Sequence, residues 1–265
     1  RTFFLDKLKA YALSLVVGGG LLLIFLWLIH AMGPQFWWQF WLLAGVFMVL
    51  VNVGYTAWIL PLFNTLTPLA EGEVRSKLLQ YAAKVNFSIQ HIFVMDGSRR
   101  SAKANAFFSG FGKQKKVVLY DTLLEQHPPE ELVAVLAHEI GHYKKRHLKW
   151  SILISLIQVG VLLFLLGQVV FSETMSLALG GSSWSVHLNI LGFTMLFAPL
   201  TMILGIGMNW LSRKHEFEAD QYAKETYGGK PLAEALKTLS VKTLSTIHPH
   251  PLYVFVNYSH PPLLQ

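Results

Sequence analysis

Long apolar runs dominate the chain, separated by short charged intervals. From Ala10 to Ala70 no Asp, Glu, Lys or Arg occurs, which is enough for two bilayer spans at about 20 residues each. The run breaks at Gly33-Pro34-Gln35, placing the spans at roughly 10–32 and 36–60. A third apolar run goes from Trp150 to Phe171 and a fourth from about Leu188 to Leu211. The polar loop between these two, Ser172 to His187, is short. None of the four shows the polar stripe expected of a helix at a water-facing protein surface.

The interval 70–148 is patterned differently and predicts a small α/β element. Glu71 to Val85 has helical periodicity, with Val74, Leu78, Leu79, Ala82 and Ala83 on one side. Ile92 to Met95 predicts a strand, followed by a turn at Asp96-Gly97-Ser98. Ala104 to Phe111 and Lys116 to Tyr120 predict two further strands, joined by a turn at Gly112-Lys113-Gln114-Lys115. Gly110 and Gly112 in this aromatic-rich stretch suggest a sheet edge approached by another backbone. An ordinary capped edge and a substrate-binding edge fit that pattern equally. Pro128-Pro129-Glu130-Glu131 then opens a helix, with proline early and acids in the first turn. Leu132, Val133, Val135, Leu136 and Ile140 carry this helix at least to Tyr143, and continuation into the third span is left open.

Composition supports lipid as part of the solvent. Of 265 residues, 53% are hydrophobic and only 14% charged, against about 25% charged in a soluble domain; mean hydropathy is +0.42. All 22 Lys and Arg fall in 1–9, 75–149 and 213–242, and the loops at Gly33-Pro34 and 172–187 contain none. This asymmetry puts both termini and the middle region on the cytoplasmic side. It also accounts for the net charge of +7 through anionic lipid headgroups rather than nucleic acid. The absence of cysteine excludes disulfides, thiolate ligands and a cysteine nucleophile. The predicted fold is a mostly α polytopic membrane protein of about four transmembrane helices with a small cytoplasmic α/β element carrying a zincin-type helix. Its parts are two transmembrane helices (1–69), the α/β element (70–148), a transmembrane hairpin (149–211) and a cytoplasmic helical segment (212–265).

The candidate chemistry sits in the helix after Pro129. His138-Glu139-Ile140-Gly141-His142 places two imidazoles four residues apart on one helix face, within reach of a single zinc ion. Glu139 adjoins the first ligand, where its carboxylate can accept a proton from a water on the metal. Lys144-Lys145-Arg146-His147 reads as basic residues at the membrane interface. A catalytic zinc needs a third protein ligand. The stretch Ser212 to Asp220 offers Glu216 as that ligand, and Asp220, four residues on, as a carboxylate that holds a ligand histidine in its tautomer. Glu218 and His215 are left outside the site. A tight hairpin of the third and fourth spans would start and end at one membrane face, joining the two ligand segments.

These motifs resemble those of the integral-membrane CAAX prenyl proteases of type I, zinc enzymes that cut after a prenylated cysteine. The matching segments are Val94 to Ser98, Asn105 to Gly110, Val118 to Leu123, His138 to His142, Ser212 to Asp220 and Tyr258 to Pro262, in order along the chain. The resemblance implies one zinc per chain on His138, His142 and Glu216, Glu139 as catalytic base and Asp220 behind a ligand. It implies that Asn105, Ala106 and Phe107 form an edge strand for the substrate backbone, and that His260 stabilises the tetrahedral intermediate. The implied partners are a peptide or protein substrate with a prenylated C-terminus and the lipid bilayer, with no nucleic acid. Members of this family have seven spans where this chain shows four, so it reads as beginning inside the family's domain. The short 172–187 loop resembles bacterial members, implying the cytoplasmic membrane of a bacterium, or the endoplasmic reticulum membrane in a eukaryote. A weaker resemblance is to HtpX-type quality-control metalloproteases. A catalytically silent membrane scaffold is the remaining class, opposed by the intact His138, Glu139, His142 and Glu216.

Overall fold

The computed structural model describes residues 2–109, 115–244, 246 and 248–263. In chain order the helices are α1 (Thr2–Leu13), α2 (Gly19–Met32), α3 (Phe36–Gly54), α4 (Leu60–Phe63), α5 (Glu73–Lys84), α6 (Asp121–Gln126), α7 (Pro129–Lys144), α8 (His147–Val169), α9 (Glu173–Ala178), α10 (Val186–Thr226), α11 (Gly229–Lys242) and α12 (Pro251–Asn257). The strands are β1 (Leu66–Pro68), β2 (His91–Met95), β3 (Ala106–Ser109) and β4 (Lys116–Tyr120). Gly110 and the predicted turn at Gly112 to Gln114 lie outside the described residues.

Among the described residues three helical stretches are long and apolar enough to cross a membrane: Thr2–Phe63, His147–Val169 and Val186–Thr226. The first is interrupted at Gly33–Gln35, where Gly33 takes φ 55°, a left-handed conformation that a side chain would strain. The chain forms two compact units. The first comprises Phe3–Asn52 and Lys149–Gly205. Its interior is small: Leu28, Ile29, Phe36, Leu166 and Val170 are buried, with Phe25, Trp37 and Phe40 packed against them. Leu23, Trp27, Ile157, Met195 and Leu196 point outward, an apolar surface that suits lipid. One polar residue organises the turn after α8. Asn189, fully buried, donates to the carbonyls of Val170 and Ser172, both at 2.8 Å, and accepts from the Ser176 hydroxyl, also at 2.8 Å. It thereby satisfies carbonyls at a helix end that lipid could not.

The second unit comprises Val53–Leu148 and Ile206–Gln265. Its sheet has the order β1-β2-β4-β3, with β2 parallel to β4 and the other pairs antiparallel. The central strand β4 is covered on both faces, as parallel neighbours usually are. Val117 and Leu119 face the helices and share a core with Leu78 of α5 and Leu132, Leu136 and Ile140 of α7. Val118, pointing the other way, packs with Leu60 and Met95. β1 was not expected from the sequence. Its three residues end an apolar run and are recognisable only by pairing: Thr67 opposite Val94, and the Thr65 amide bonded to the Asp96 carboxylate at 2.7 Å. The helix predicted from Pro129 stops at Lys144, because Arg146 adopts φ 61° before α8 begins at His147.

Candidate metal centre

The site lies wholly in the second unit, where α7 meets α10. Gly141 makes the approach possible. A Cβ placed there would come within 3.0 Å of Ala219 Cα and 3.1 Å of its carbonyl oxygen, so a side chain would push the two backbones apart. Ala219, at this point of α10, is fully buried. Gly141 lies between His138 and His142, and Ala219 between Glu216 and Asp220. The close contact thus brings the two pairs of functional side chains face to face.

The Nε2 atoms of His138 and His142 are 3.1 Å apart. Glu216 places Oε2 at 3.5 Å from the first and Oε1 at 3.5 Å from the second. Two imidazole nitrogens and the two oxygens of one carboxylate thus converge within 3.5 Å. These separations are close to the roughly 3.3 Å ligand–ligand spacing of a tetrahedral site with bonds of about 2.0–2.1 Å. Two imidazoles and one carboxylate form a donor set used by catalytic metal sites that keep a position open. The residues therefore fit a resident metal ion, and among the described residues this is the group of His, Asp and Glu that could hold one.

The surrounding electrostatics agree. Burial opposes charge on His138, but hydrogen bonds to Asp220 and Glu216 outweigh it and raise its pKa to about 10. Burial and the charge on His138 push His142 down, to about 4. Burial raises Glu139 to about 7 against the pull of His138. His260 is raised by its contact with Glu216, Nδ1 to Oε2 at 3.0 Å.

A cavity of about 360 Å³ opens beside these groups, lined by Glu139, His138, Glu216 and His260 and by apolar residues such as Leu123 and Leu236. Asn105 and Ala106 also line it, at the start of the edge strand β3. Phe107 does not; it packs near Tyr55 and Tyr120 with Leu60, Met95 and Val118. Asp220 Oδ1 lies 2.7 Å from His138 Nδ1, the atom turned away from the convergence point. Sequence reasoning missed two supports. His147, read as part of a basic interface cluster, is buried with Nδ1 at 3.0 Å from His142 Nδ1 and Nε2 at 3.0 Å from Glu218 Oε2. Arg213, also buried, donates to the carbonyls of Val254 and Tyr258 near the end of α12, and Asn209, one turn earlier, donates to that of Val256 at 2.7 Å. Together they fix the segment that delivers His260. For the second, the sequence signal is a polar residue repeated at helical spacing, Asn209 and Arg213, at the end of an apolar run.

Residues 68–265 match the family model of Peptidase family M48, and residues 1–65 match that of the CAAX prenyl protease N-terminal region, described as five membrane helices. The chain belongs to Peptidase family M48. It is 35% identical to the CAAX prenyl protease 1 homolog of Arabidopsis thaliana, over 99% of this chain and 62% of that protein. It is 33% identical to CAAX prenyl protease 1 of Saccharomyces cerevisiae, over 98% of this chain and 61% of that protein. The crystal structure of Ste24p from S. mikatae superposes with a TM-score of 0.92 at 32% identity, covering 99% of this chain and 64% of that one. The chain thus spans under two thirds of the length of these relatives.

Proposed function

We propose that this chain carries the catalytic centre of a membrane-embedded zinc endopeptidase of CAAX prenyl protease type. The observation that carries the reading is the convergence of His138, His142 and Glu216 at 3.1–3.5 Å beside an open cavity. When bound there, zinc would acidify a water molecule and polarise the scissile carbonyl. The chain's own residues supply the rest. Glu139 takes the proton from the attacking water and passes it to the leaving amine. His260, tethered to Glu216, offers its N–H to the oxygen that gains charge in the transition state. Asp220 accepts the Nδ1 proton of His138 and leaves Nε2 free for the metal. The backbone of β3 around Asn105, on the sheet edge, pairs with the extended substrate.

The names of the relatives support a prenylated C-terminal peptide as substrate over the misfolded membrane proteins cut by quality-control enzymes. Reading the turn at Gly33–Gln35 as a loop divides Thr2–Phe63 into two spans and gives four in all. The distribution of Lys and Arg supports a site on the cytoplasmic side, and the short 172–187 loop supports a bacterial cytoplasmic membrane. The test is zinc content and cleavage of a farnesylated against an unfarnesylated peptide in detergent, comparing wild type with Glu139→Gln. Near-stoichiometric zinc in both proteins is expected, with cleavage reduced at least about a hundredfold in the variant. Undiminished cleavage by Glu139→Gln would sink the mechanism. Equal cleavage of the two peptides would remove prenyl recognition and leave the peptidase.

A further inference from the structure

We infer that His147 and Glu218 are positioning residues for the metal ligand His142, forming a hydrogen-bond relay that fixes its tautomer and ring orientation. The inference rests on the zinc reading above and deepens it. A histidine that binds metal through Nε2 must carry its proton on Nδ1. For His142 that proton meets His147 Nδ1 at 3.0 Å. His147 Nδ1 must then accept, so its own proton sits on Nε2, where Glu218 Oε2 lies at 3.0 Å. An ionised carboxylate can only accept, so the direction of the whole chain is set from its far end. Each ring has one donor and one acceptor, and all are used. The reverse arrangement would require Glu218 to donate and would put the His142 proton on the nitrogen that faces Glu216.

Three further features make the relay a built device rather than a chance contact. The His147 side chain is only 5% exposed, so water has little access to replace it. Its ring also stacks on that of His215, with centroids 4.1 Å apart and planes 9° apart, which fixes its plane relative to α10. The left-handed turn at Arg146 brings His147 back toward α7 after the helix has ended. The two histidine ligands are thus supported differently. His138 is held by a carboxylate directly, and His142 by a carboxylate acting through an intervening ring.

The experiment is the dissociation constant for zinc, measured by competition with a chelating dye in the detergent-purified chain. Wild type is compared with His142→Ala, His147→Phe and Glu218→Ala, and the melting temperature of each is recorded without metal. His147→Phe keeps the stack and the volume but removes both hydrogen bonds, and zinc binding should weaken about 10–100-fold. Glu218→Ala, at a partly exposed position, should weaken it less, by about threefold to tenfold. A metal-free melting temperature unchanged in Glu218→Ala separates positioning from folding. Wild-type affinity in Glu218→Ala together with wild-type affinity, or failure to fold, in His147→Phe would overturn the relay. If His142→Ala binds zinc as wild type does, the metal site itself is wrong and the relay falls with it.

Discussion

Gly141→Ala tests whether the close approach of α7 and α10 is what sets the metal geometry. The added methyl would sit 3.0 Å from Ala219 Cα, 3.1 Å from its carbonyl oxygen and 3.2 Å from Tyr222 Cβ. Contacts this short are tighter than ordinary van der Waals packing, so the helices must separate locally by a few tenths of an ångström. Two of the three clashing atoms are backbone, so no rotamer change relieves them. Overpacking of this kind costs about 1–3 kcal/mol, and the gain in helix propensity from glycine to alanine returns about 1 kcal/mol. The metal-free protein should therefore lose roughly 0–2 kcal/mol, a modest effect.

Metal binding should suffer more. Metal–ligand distances hold to about 0.2 Å, and the displaced contact adjoins His142 on α7 and lies within one turn of His138 and of Glu216. A shift of a few tenths of an ångström exceeds that tolerance. We expect zinc affinity to fall at least about tenfold, removing about 1.4 kcal/mol of the stabilisation that a fixed excess of zinc confers. The assay is thermal unfolding with and without zinc. Gly205→Ala is the control, since a Cβ there meets nothing within 4 Å. A Gly141→Ala protein that binds zinc as wild type does and melts no lower would refute the reasoning.

Two more outcomes follow from groups remote from the metal. Arg213→Met removes the donors that hold the Val254 and Tyr258 carbonyls, so the His260 segment should loosen. Peptide cleavage should drop at least about tenfold while zinc content by elemental analysis stays near wild type, and loss of zinc instead would count against this division of labour. Asn189→Leu removes one donor from each of two carbonyls that keep another, Val170 from Trp184 Nε1 and Ser172 from Ser176, at about 0.5–1.5 kcal/mol per bond lost. Unfolding in mixed detergent micelles should show the loss, and a stability equal to wild type would mean that Asn189 is not the organising cap.

What the sequence revealed was what periodicity and chemistry reveal. Apolar runs longer than a bilayer needs cannot be confused with a soluble core, and β2 and β4 were legible because each is a β-rich apolar stretch bounded by turn residues. The grouping of His138, His142 and Glu216 was legible because two imidazoles four residues apart share a helix face and a catalytic donor set of that kind calls for a third member. β1 was not legible, since three residues ending an apolar run have no period of their own. The helical stop at Arg146 was equally silent. Left-handed backbone usually announces itself as glycine or asparagine, and here it falls on an arginine inside a basic cluster.

That one backbone angle accounts for the largest omission in the site. Had α7 continued without a break, a residue five positions past His142 would point to a different side of the helix. The break at Arg146 instead leaves His147 against His142, and α10, helical from Val186 to Thr226, presents His215 and Glu218 to the other side of its ring. Helical spacing therefore predicts the ligands, which sit on regular segments, and cannot predict their supports, which depend on where a regular segment ends. Glu216, His215 and Glu218 look like an exposed charged stretch when read singly. Their separate destinations, the metal triangle and the two contacts of His147, follow from a single helix facing both α7 and the first turn of α8.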